Sequence, residues 1–487
     1  MKKGITANLS ILLLAALILS SCGKELSVQS EETTQDTTVA ETIPANPYGD
    51  NLPEKMDLEQ YDFRVLIFNN GNIIGHGNAW RAWIDVDELT GEVMNDAAYH
   101  RNAEVEERLN VHISCIELGE FGQTVPLVHT SVMAGEDEYD FTILQNDRTS
   151  ISKLFVDNCL LDVNAIDAIE LSQPYYLQSV RETLNINGKQ FLISGDALCS
   201  LYSHSYVFTN MDLWEDYQLE DPYELVRSGK WTLDKCMTLV EGTYQDLNGN
   251  GIADKEDSFG ITGLPATLAY CFHSGGGTLY ESSDEGYSFP VVSERNVAII
   301  ERLVKELDNP DCFFNFENSS VYGDAYYAGR SLLFFSGSSI TRLRDPEFYA
   351  GLLPFPKFDE SQDAYYSILA GATAGLPITV SDPERTGTIV EALFSASARW
   401  IKPAFIQTYV ENKVLRDEGS QEMFALIMDT GRHNFVDYVD PAGQFKGYDK
   451  LVTELLSKKS ADLASTWASM KESVEQNYAE FFASIEE

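Results

Sequence analysis

Strand-like apolar runs alternate with helical segments early in the chain, and this alternation restricts the fold more than any other feature. Three runs have the β-branched and aromatic residues typical of buried strands. They lie at 61–68 (YDFRVLIF), 111–116 (VHISCI) and 139–144 (YDFTIL). Between the first two runs, Ala98, Val105 and Leu109 share one helical face. This alternation predicts a mostly parallel sheet whose carboxyl-end loops form a site.

The remainder of the chain carries further strand and helix signals. The strand signals lie at 189–194, 206–210, 332–335, 350–353 and 374–379. The chain becomes helix-rich after residue 210, and Thr232 is placed to cap a helix. Asp382 followed by Pro383 predicts an N-cap and a first-turn proline, opening a helix that runs to about Trp400. The final helix has an apolar stripe typical of core packing: Trp467, Met470, Val474, Tyr478, Phe481 and Ile485.

The first residues have the pattern of a secretory signal. A short basic region is followed by an apolar run at 11–19, which is too short to span a bilayer. The segment LSSC at 19–22 resembles the lipobox of bacterial lipoproteins. The resemblance implies removal of residues 1–21 and lipidation of Cys22, which places the protein on the extracytoplasmic face of the bacterial cell membrane. The alternative is an ordinary signal peptide with an incidental cysteine.

Residues 22–57 are predicted to form a flexible acidic tether. They are rich in Ser, Thr, Glu and Gln and contain few large apolar residues. Such a segment cannot bury enough apolar surface to offset the entropy lost on ordering. No later stretch approaches the roughly 18 apolar residues of a membrane-spanning helix. We therefore expect the lipid alone to hold the body at the membrane.

Charge and cysteine content exclude some functions. The chain has 34 basic and 76 acidic residues, a formal charge of −42 that would repel phosphate backbones, so we expect no nucleic-acid partner. The cysteines after Cys22 are Cys115, Cys159, Cys199, Cys236, Cys271 and Cys312. No pair has C-x-x-C spacing, which argues against zinc or thioredoxin-like chemistry. We expect them to be mostly buried small hydrophobes, and the sequence selects no disulfide pairing.

Several segments in a fixed order resemble one protein family. They are the lipobox, VMNDAAYHRNAEVEERLNV at 93–111, MAGEDEYD at 133–140, GKWT at 229–232, DLNGNG at 246–251 with SFGI at 258–261, and GLLPFPKFDE at 351–360. Together they resemble bacterial extracellular solute-binding lipoproteins of the carbohydrate-uptake ABC transporter type, the family 1 extracellular solute-binding proteins. Each segment is weak alone, and the resemblance depends on their joint order.

The resemblance implies an α/β, two-lobe periplasmic-binding-protein-like fold with hinge-crossing strands and a helix-rich second lobe. The lobes would close on a solute between them. By this resemblance, the first lobe comprises 58–205 plus 370–405, and the second comprises 206–369 plus 406–487. The crossings fall at 202–210 and 368–379. The implied partners are a mono- or oligosaccharide and the permease subunits of an ABC transporter, with the protein acting as a monomer.

The stretch DLNGNGIADKED at 246–257 has the spacing of a calcium loop. Its predicted ligands are the side chains of Asp246, Asn248, Asn250, Asp254 and Asp257 and the carbonyl of Ile252. Asp257 replaces the usual glutamate, which predicts weaker binding. Because there is only one loop, we expect a structural Ca²⁺ rather than a switch, and no other cofactor. The alternative is an Asn/Gly/Asp-rich turn without an ion.

Sugar recognition needs flat apolar faces and planar or charged hydrogen-bonding groups. The resemblance places such residues after the strands and at the first crossing. The candidate ligand-binding residues are Trp80, Trp83, Asn146, Asp147, Arg148, Tyr202, His204, Tyr270, His273, Ser336 and Ser338. The glycines at 275–277 belong to the same loop as His273. The alternative for each aromatic residue is core packing, and the alternative for Asp147 and Arg148 is a local ion pair.

Catalytic motifs are missing from the sequence. There is no G-x-S-x-G, H-E-x-x-H, phosphate-binding loop or dinucleotide fingerprint. We therefore expect a binding protein without catalytic residues. Two alternatives stay open. One is a surface glycan hydrolase, since 76 carboxylates leave room for a catalytic pair. The other is a lipoprotein that presents a solute or adheres to a surface without a transporter.

Overall fold

Two mixed β-sheets form the centres of the folded body. The computed structural model describes residues 48–68, 84, 86–118, 122–144, 148–198, 205–283, 286–314, 323–336, 340–369, 372–445 and 448–486. Its strands are β1 (Tyr61–Phe68), β2 (Val111–Leu118), β3 (Phe141–Leu144), β4 (Asn185–Ile186), β5 (Lys189–Gln190), β6 (Tyr206–Asn210), β7 (Phe259–Gly263), β8 (Glu281–Ser283), β9 (Gly286–Ser288), β10 (Cys312–Phe314), β11 (Ser331–Ser336), β12 (Ala350–Leu353), β13 (Ser367–Ile368), β14 (Thr373–Gly375) and β15 (Gly431–Arg432).

Helices cover the sheets and join the lobes. The α-helices are α1 (Val93–Leu109), α2 (Thr124–Ala134), α3 (Arg148–Val156), α4 (Gln178–Thr183), α5 (Met211–Asp216), α6 (Pro222–Arg227), α7 (Leu233–Leu239), α8 (Pro265–Ser274), α9 (Glu294–Glu306), α10 (Asp324–Tyr327), α11 (Pro383–Pro403), α12 (Glu418–Asp429), α13 (Tyr448–Ser457) and α14 (Leu463–Glu486). A π-helix covers Ala404–Val414. None of the helices in the described ranges is both long and apolar enough to cross a membrane.

The first lobe is built on a four-stranded sheet in the order β14-β3-β1-β2. Strand β1 runs parallel to β2 and β3, with Val65 opposite Phe141, while β14 runs antiparallel to β3. Phe63, Val65 and Phe141 are fully buried. Because the parallel strands point the same way, Phe68 and Leu144 end at the same edge of the sheet. The mostly parallel sheet predicted from the sequence is confirmed.

The second lobe is built on a five-stranded sheet in the order β10-β7-β11-β6-β12. Strand β7 runs parallel to β10 and β11, whereas β6 is antiparallel to β11 and β12. Phe208, Phe334 and Leu352 are fully buried. Ser336 at the carboxyl end of β11 lies opposite Tyr206 at the start of β6. The chain therefore enters this sheet at the edge where β11 ends.

The segments that connect the lobes are hydrogen-bonded to one another. The Ser205 N–H donates to the Ile368 carbonyl, and the Ile368 N–H donates to Ser205 Oγ, both at 3.1 Å. The Leu369 N–H donates to the Arg432 carbonyl at 3.0 Å, beside the parallel pair of β13 and β15. We call this set, residues 205, 367–369 and 430–432, the crossing junction.

Helix α11 begins as the sequence predicts and ends differently. The Asp382 carboxylate accepts the Arg385 N–H at 3.0 Å, and Pro383 is the first helical residue. The helix continues past Trp400 to Pro403 and is followed directly by the π-helix. Pro403 has no backbone N–H to donate to the α-helical ladder, so the hydrogen-bonding pattern changes there. One continuous helical segment thereby leads from the first lobe towards the second.

Helix α14 carries the predicted apolar stripe and contacts both lobes. Trp467, Val474, Tyr478, Phe481 and Ile485 are buried, and Met470 is half-buried. The Phe481 ring lies 6.1 Å from the Phe155 ring of α3 in the first lobe. The Tyr478 hydroxyl donates to the Val439 carbonyl at 2.6 Å. The sequence assigns α14 to the second lobe alone, but its contacts join the two lobes.

Residues 48–57, which the sequence assigns to the tether, pack on the first lobe. Asp50 is buried and pairs with Arg108 of α1 through two hydrogen bonds, of 2.7 and 2.8 Å. Ser395 Oγ of α11 also donates to Asp50, at 2.7 Å. Burial opposes ionisation of Asp50, but the bonds from Arg108 and Ser395 lower its pKa below the usual value. The folded body therefore begins no later than Tyr48.

We expect Asp50→Ala to lower the free energy of unfolding by about 3–5 kcal/mol, because it leaves the buried Arg108 guanidinium without its carboxylate. The double variant Asp50→Ala/Arg108→Met should lose less, since no buried charge remains. Urea unfolding measures both. Asp57→Ala removes an exposed carboxylate from the same segment and should change little. Equal stability of Asp50→Ala and this control would contradict the assigned role of Asp50.

Candidate functional site

Most of the candidate ligand-binding residues come after strands of the two sheets, and the structure shows where these strands end. Strand β1 ends at Phe68, β3 at Leu144 and β11 at Ser336. The candidates outside the described residues are Trp80, Trp83, Asn146, Asp147, Tyr202, His204 and Ser338. Arg148 is the first residue of α3, and its side chain also lies outside the described part. Their role in binding stays a prediction.

Three candidates, Tyr270, His273 and Ser336, lie within the described residues, and one of them lines a cavity. Tyr270 is half-buried on α8, and its ring meets the Phe355 ring edge-on at 6.0 Å, which is a core packing contact. Ser336 is buried at the end of β11. His273 is buried near the end of α8 and lines a cavity that neither Tyr270 nor Ser336 lines. The structure therefore separates His273 from the other two.

A cavity of ≈ 600 Å³ lies beside the crossing junction, and we call it the hinge cavity. Its wall combines α4 of the first lobe, the crossing junction, and loops of the second lobe. The charged wall residues are Glu182, Glu281, Arg295 and Arg432, and the wall also includes Tyr366, His273 and His433. Both lobes thus contribute to one polar space.

The loop after α8 reaches the hinge cavity through a tight left-handed turn. Gly276 has φ +82°, a backbone conformation that glycine adopts without a steric penalty. The Gly277 N–H donates to the Phe272 carbonyl at 2.7 Å, and a Cβ on Gly277 would come within 2.6 Å of that oxygen. The glycines singled out in the sequence therefore shape this part of the wall.

Two arginines on the wall have different surroundings. Arg295 is fully engaged: it donates to the Gly275 carbonyl at 2.8 Å and to Gln362 Oε1 at 3.0 Å, and pairs with Asp359 at 2.5 Å. Arg295 also lies over the Phe358 ring, with its Cζ 4.6 Å from the ring centre. Arg432 lies over the Tyr366 ring, with its Cζ 3.5 Å from the ring centre. Arg295 therefore has several fixed partners including a carboxylate, whereas Arg432, which also lines the cavity, makes no ion pair among the described residues.

The ring beneath Arg432 is itself held in place. The Tyr366 hydroxyl donates to Asp363 Oδ1 at 2.7 Å. This bond lowers the pKa of Asp363, while partial burial raises the pKa of Tyr366. Asp363 thus stays ionised and Tyr366 protonated near neutral pH. The guanidinium of Arg432 therefore rests on a fixed ring.

The opposite side of the hinge cavity is aromatic and rigid. The Tyr280 and Phe435 rings stack with centres 4.4 Å apart, and burial raises the pKa of Tyr280. His433 Nδ1 lies 2.8 Å from Ser179 Oγ of α4, which connects the crossing junction to the first lobe. No local motif marks Arg295, Arg432 or Phe435, so sequence reasoning missed them. Only the fold brings these distant segments together.

The calcium-like loop closes through an antiparallel bridge between Gln245 and Ser258. Asp246 accepts the N–H groups of Gly249 and Gly251 at 2.6 and 2.9 Å. Asp257 is fully buried and accepts the Leu247 N–H at 3.0 Å. The first and last acidic residues of the loop therefore both turn inward and fix its backbone.

The oxygen donors of this loop match the hard ligands that Ca²⁺ prefers, but its carboxylates do not form a cluster. The side-chain amides of Asn248 and Asn250 donate to Asp254 at 3.2 and 2.8 Å. Among the described residues, no group of three or more His, Cys, Asp or Glu could hold a metal ion. An ion here would need the side-chain oxygens of Asn248 and Asn250 and the carbonyl of the exposed residue Ile252 as ligands, in addition to the carboxylates.

Comparisons with known proteins agree with this architecture. No protein-family model matches the chain, and no curated protein matches it. Solved structures do. An ABC substrate-binding protein from Listeria monocytogenes in complex with cycloalternan has a TM-score of 0.54 at 12% identity, covering 86% of this chain and 100% of its own. A cyclo/maltodextrin-binding protein complexed with maltotetraose has a TM-score of 0.58 at 11% identity, covering 85% and 97%.

The GacH receptor of Streptomyces glaucescens, solved unliganded and with acarbose, is a third similar structure. Its TM-score is 0.54 at 11% identity, and the match covers 87% of this chain and 99% of that one. At such low identity these likenesses establish the fold. The chain has the two-lobe α/β fold of periplasmic binding proteins, as its sequence resemblance implied.

Proposed function

We propose that the protein binds a carbohydrate between its two lobes and delivers it to the permease of an ABC transporter. The observation that carries this proposal is the fold, shared over 85–87% of the chain with proteins complexed with cycloalternan, maltotetraose and acarbose. Ligands of such open sheets bind outside the carboxyl ends of the strands. The ends of β1 and β3 lie at one edge of the first sheet, and β11 ends where the chain enters the second.

The residues that follow these strand ends have the chemistry that a sugar needs. Trp80 and Trp83 follow β1 and would supply flat apolar faces for ring C–H groups. Asn146, Asp147 and Arg148 follow β3 and would bond hydroxyl groups. Because β1 and β3 are neighbours in one sheet, the two sets leave it at adjacent positions. This adjacency supports a joint site without fixing its geometry.

Replacing Trp80 or Trp83 with alanine should weaken binding of the cognate sugar by about 1–3 kcal/mol, or roughly five- to 150-fold, because the stacking face is lost. Titration calorimetry across mono- and oligosaccharides measures the change. Trp400→Ala is a matched control, since the Trp400 ring is already stacked on His100 at 5.0 Å. It should leave affinity unchanged.

Titration, analysis of the sugar after binding, and uptake measurements distinguish the proposal from its alternatives. Retention of an intact sugar supports a binding protein, whereas cleavage of an oligosaccharide would establish a glycan hydrolase. Binding confined to peptides or metal ions would exclude carbohydrate transport. Sugar uptake that is unchanged after deletion of the gene would favour a presenting or adhesive lipoprotein.

We also propose that Cys22 carries a lipid anchor outside the cytoplasm. Support comes from the lipobox-like segment and from the position of the folded body, which begins no later than Tyr48, well after Cys22 along the chain. Cys22→Ser should abolish lipidation while the folded body still binds its solute. Mass spectrometry of the amino-terminal peptide from membranes checks this. An unmodified Cys22 in wild-type protein would disprove the anchor.

We further propose that loop 246–257 binds a structural Ca²⁺. Its acidic ends already fix the backbone, so an ion would add stability rather than a switch. Chelation should lower the melting temperature, and a site at ten- to a hundredfold saturation contributes about 1.4–2.7 kcal/mol. Sugar affinity should change only modestly, because the loop is not part of the strand-end site. Calorimetric melting with chelator and with millimolar calcium measures the effect.

Two variants make the calcium test specific. Asp246→Ala should remove most of the calcium-dependent shift in melting temperature. Asp234→Ala removes an exposed carboxylate on α7, outside the loop, and should preserve the shift. If wild type melts at one temperature under both conditions, the loop is a turn without an ion.

A further inference from the structure

The hinge cavity lies apart from the sheet edges where the two lobes present their strand ends. Its described wall residues lie on α4 and α9, on or after α8 and β15, in the crossing junction and in the segment just before β13, and none directly follows the carboxyl end of β1, β3 or β11. At ≈ 600 Å³ it falls within the usual size of small-molecule sites, about 300–1,000 Å³. The protein therefore has a second space that a small molecule can fill.

Two arginines, Arg295 and Arg432, line the described wall of this cavity, and only Arg295 has a carboxylate within ion-pair distance among the described residues. The backbone of Arg432 is fixed by the pairing of β15 with β13, and its guanidinium Cζ lies 3.5 Å from the centre of the Tyr366 ring. A guanidinium held in one plane offers two parallel N–H donors to a carboxylate, with little rotamer entropy left to lose. The geometry suits a planar anion with two oxygens.

In the described part of the chain, Arg432 has no direct ion pair comparable to that of Arg295, although the nearby Asp363 carboxylate interacts with it electrostatically. Arg295 forms an ion pair with Asp359, whereas Arg432 makes no ion pair with a carboxylate among the described residues. This contrast is informative in a chain with 34 basic and 76 acidic residues, where carboxylate partners are plentiful. An arginine left without such a partner beside a cavity is available to an anionic ligand.

Two exposed carboxylates limit which anion fits. Glu182 of α4 and Glu281 of β8 also line the hinge cavity, and neither forms an ion pair within the described ranges. They would repel a phosphate or a dicarboxylate. They can, however, accept hydrogen bonds from hydroxyl or ammonium groups. The wall thus favours a single carboxylate accompanied by hydrogen-bond donors.

We propose that the hinge cavity binds a small molecule with one carboxylate and neighbouring hydroxyl or ammonium groups, and that Arg432 holds the carboxylate. Sugar acids and α-amino acids share this chemistry. The proposal does not depend on the sugar-binding function, because it concerns a different part of the molecule.

Titration calorimetry of the full chain tests the proposal with two sets of probes: hexuronates and a panel of α-amino acids. The matching neutral hexose serves as the carboxylate-free comparison. We expect saturable binding in at least one set, and the responding set identifies the source of the carboxylate. Arg432→Gln should weaken that binding about ten- to 150-fold, because a charge-assisted pair of hydrogen bonds is lost. Arg432→Lys keeps the charge but not the planar donors, so the affinity of this variant should lie between those of wild type and Arg432→Gln.

Arg385→Gln is the matched control, because Arg385 also lies over a tyrosine, with its Cζ 3.6 Å from the Tyr61 ring, but outside the hinge cavity. It should leave carboxylate affinity unchanged. Melting temperatures verify that each variant is folded. Absence of carboxylate binding in both sets overturns the proposal. So does equal binding by the neutral hexose, or a loss in Arg432→Gln no larger than in the control.

Discussion

Hydrogen bonds between the crossing segments hold together the points at which the chain passes from one lobe to the other. Ser205 and Ile368 bond in both directions, and the Ser367–Ile368 strand pairs with Gly431–Arg432. Ser205, Ser367 and Ile368 are all buried, so these bonds are shielded from competing water. Strand β6 begins one residue after this junction, and β14 begins a few residues beyond it. One strand of each sheet therefore begins close to the same small set of backbone groups.

Apolar packing adds further contacts between the two lobes. Helix α11 buries much of its length on the first lobe, and the π-helix that follows contributes Phe405 and Val410 to a cluster with Tyr206 and Phe208 of the second. Helix α14 also connects the lobes, through the contact of Phe481 with Phe155 of α3. Helical segments therefore connect the two lobes in addition to the crossing junction, and a hinge motion that keeps these contacts would be a rotation about that junction.

Local signals in the sequence were sufficient for much of this fold. The strand at Tyr61–Phe68 was predicted with its observed bounds, and the Thr232 side chain caps α7 by accepting the Lys235 N–H at 3.2 Å. The stripe on α14 was also correct, since helical periodicity directly reports the buried face. The run at 189–194 was only partly a strand: Lys189–Gln190 forms a hairpin, and Ile193 makes a single bridge to Ala374.

Features set by distant contacts were not predictable in the same way. Nothing local to Asp50 shows that Arg108, far along the chain, will bury it, so the tether was drawn too long. The packing of Tyr270 against Phe355 is one such contact, and the predicted role of Tyr270 in ligand binding stays a prediction. His273 and the glycine turn, which the sequence suggested for sugar binding, line the hinge cavity, and their role in binding stays a prediction. Arg295 and Arg432 were not predicted, because their surroundings depend on Asp359 and Tyr366, which approach them only in the tertiary structure.

The hinge cavity takes part of its wall from Thr183 and Glu182 in the first lobe and part from Gly276 to Ser282 in the second. Rotation of one lobe against the other must therefore change its shape. An occupant stabilises whichever orientation it fits better, by the difference between its affinities for the two. A solute bound at the strand ends, as proposed above, would act on the same equilibrium. By thermodynamic reciprocity, each ligand then alters the affinity for the other by one common factor, so a carboxylate at the rim of the crossing junction would set the threshold concentration at which the protein captures its main solute.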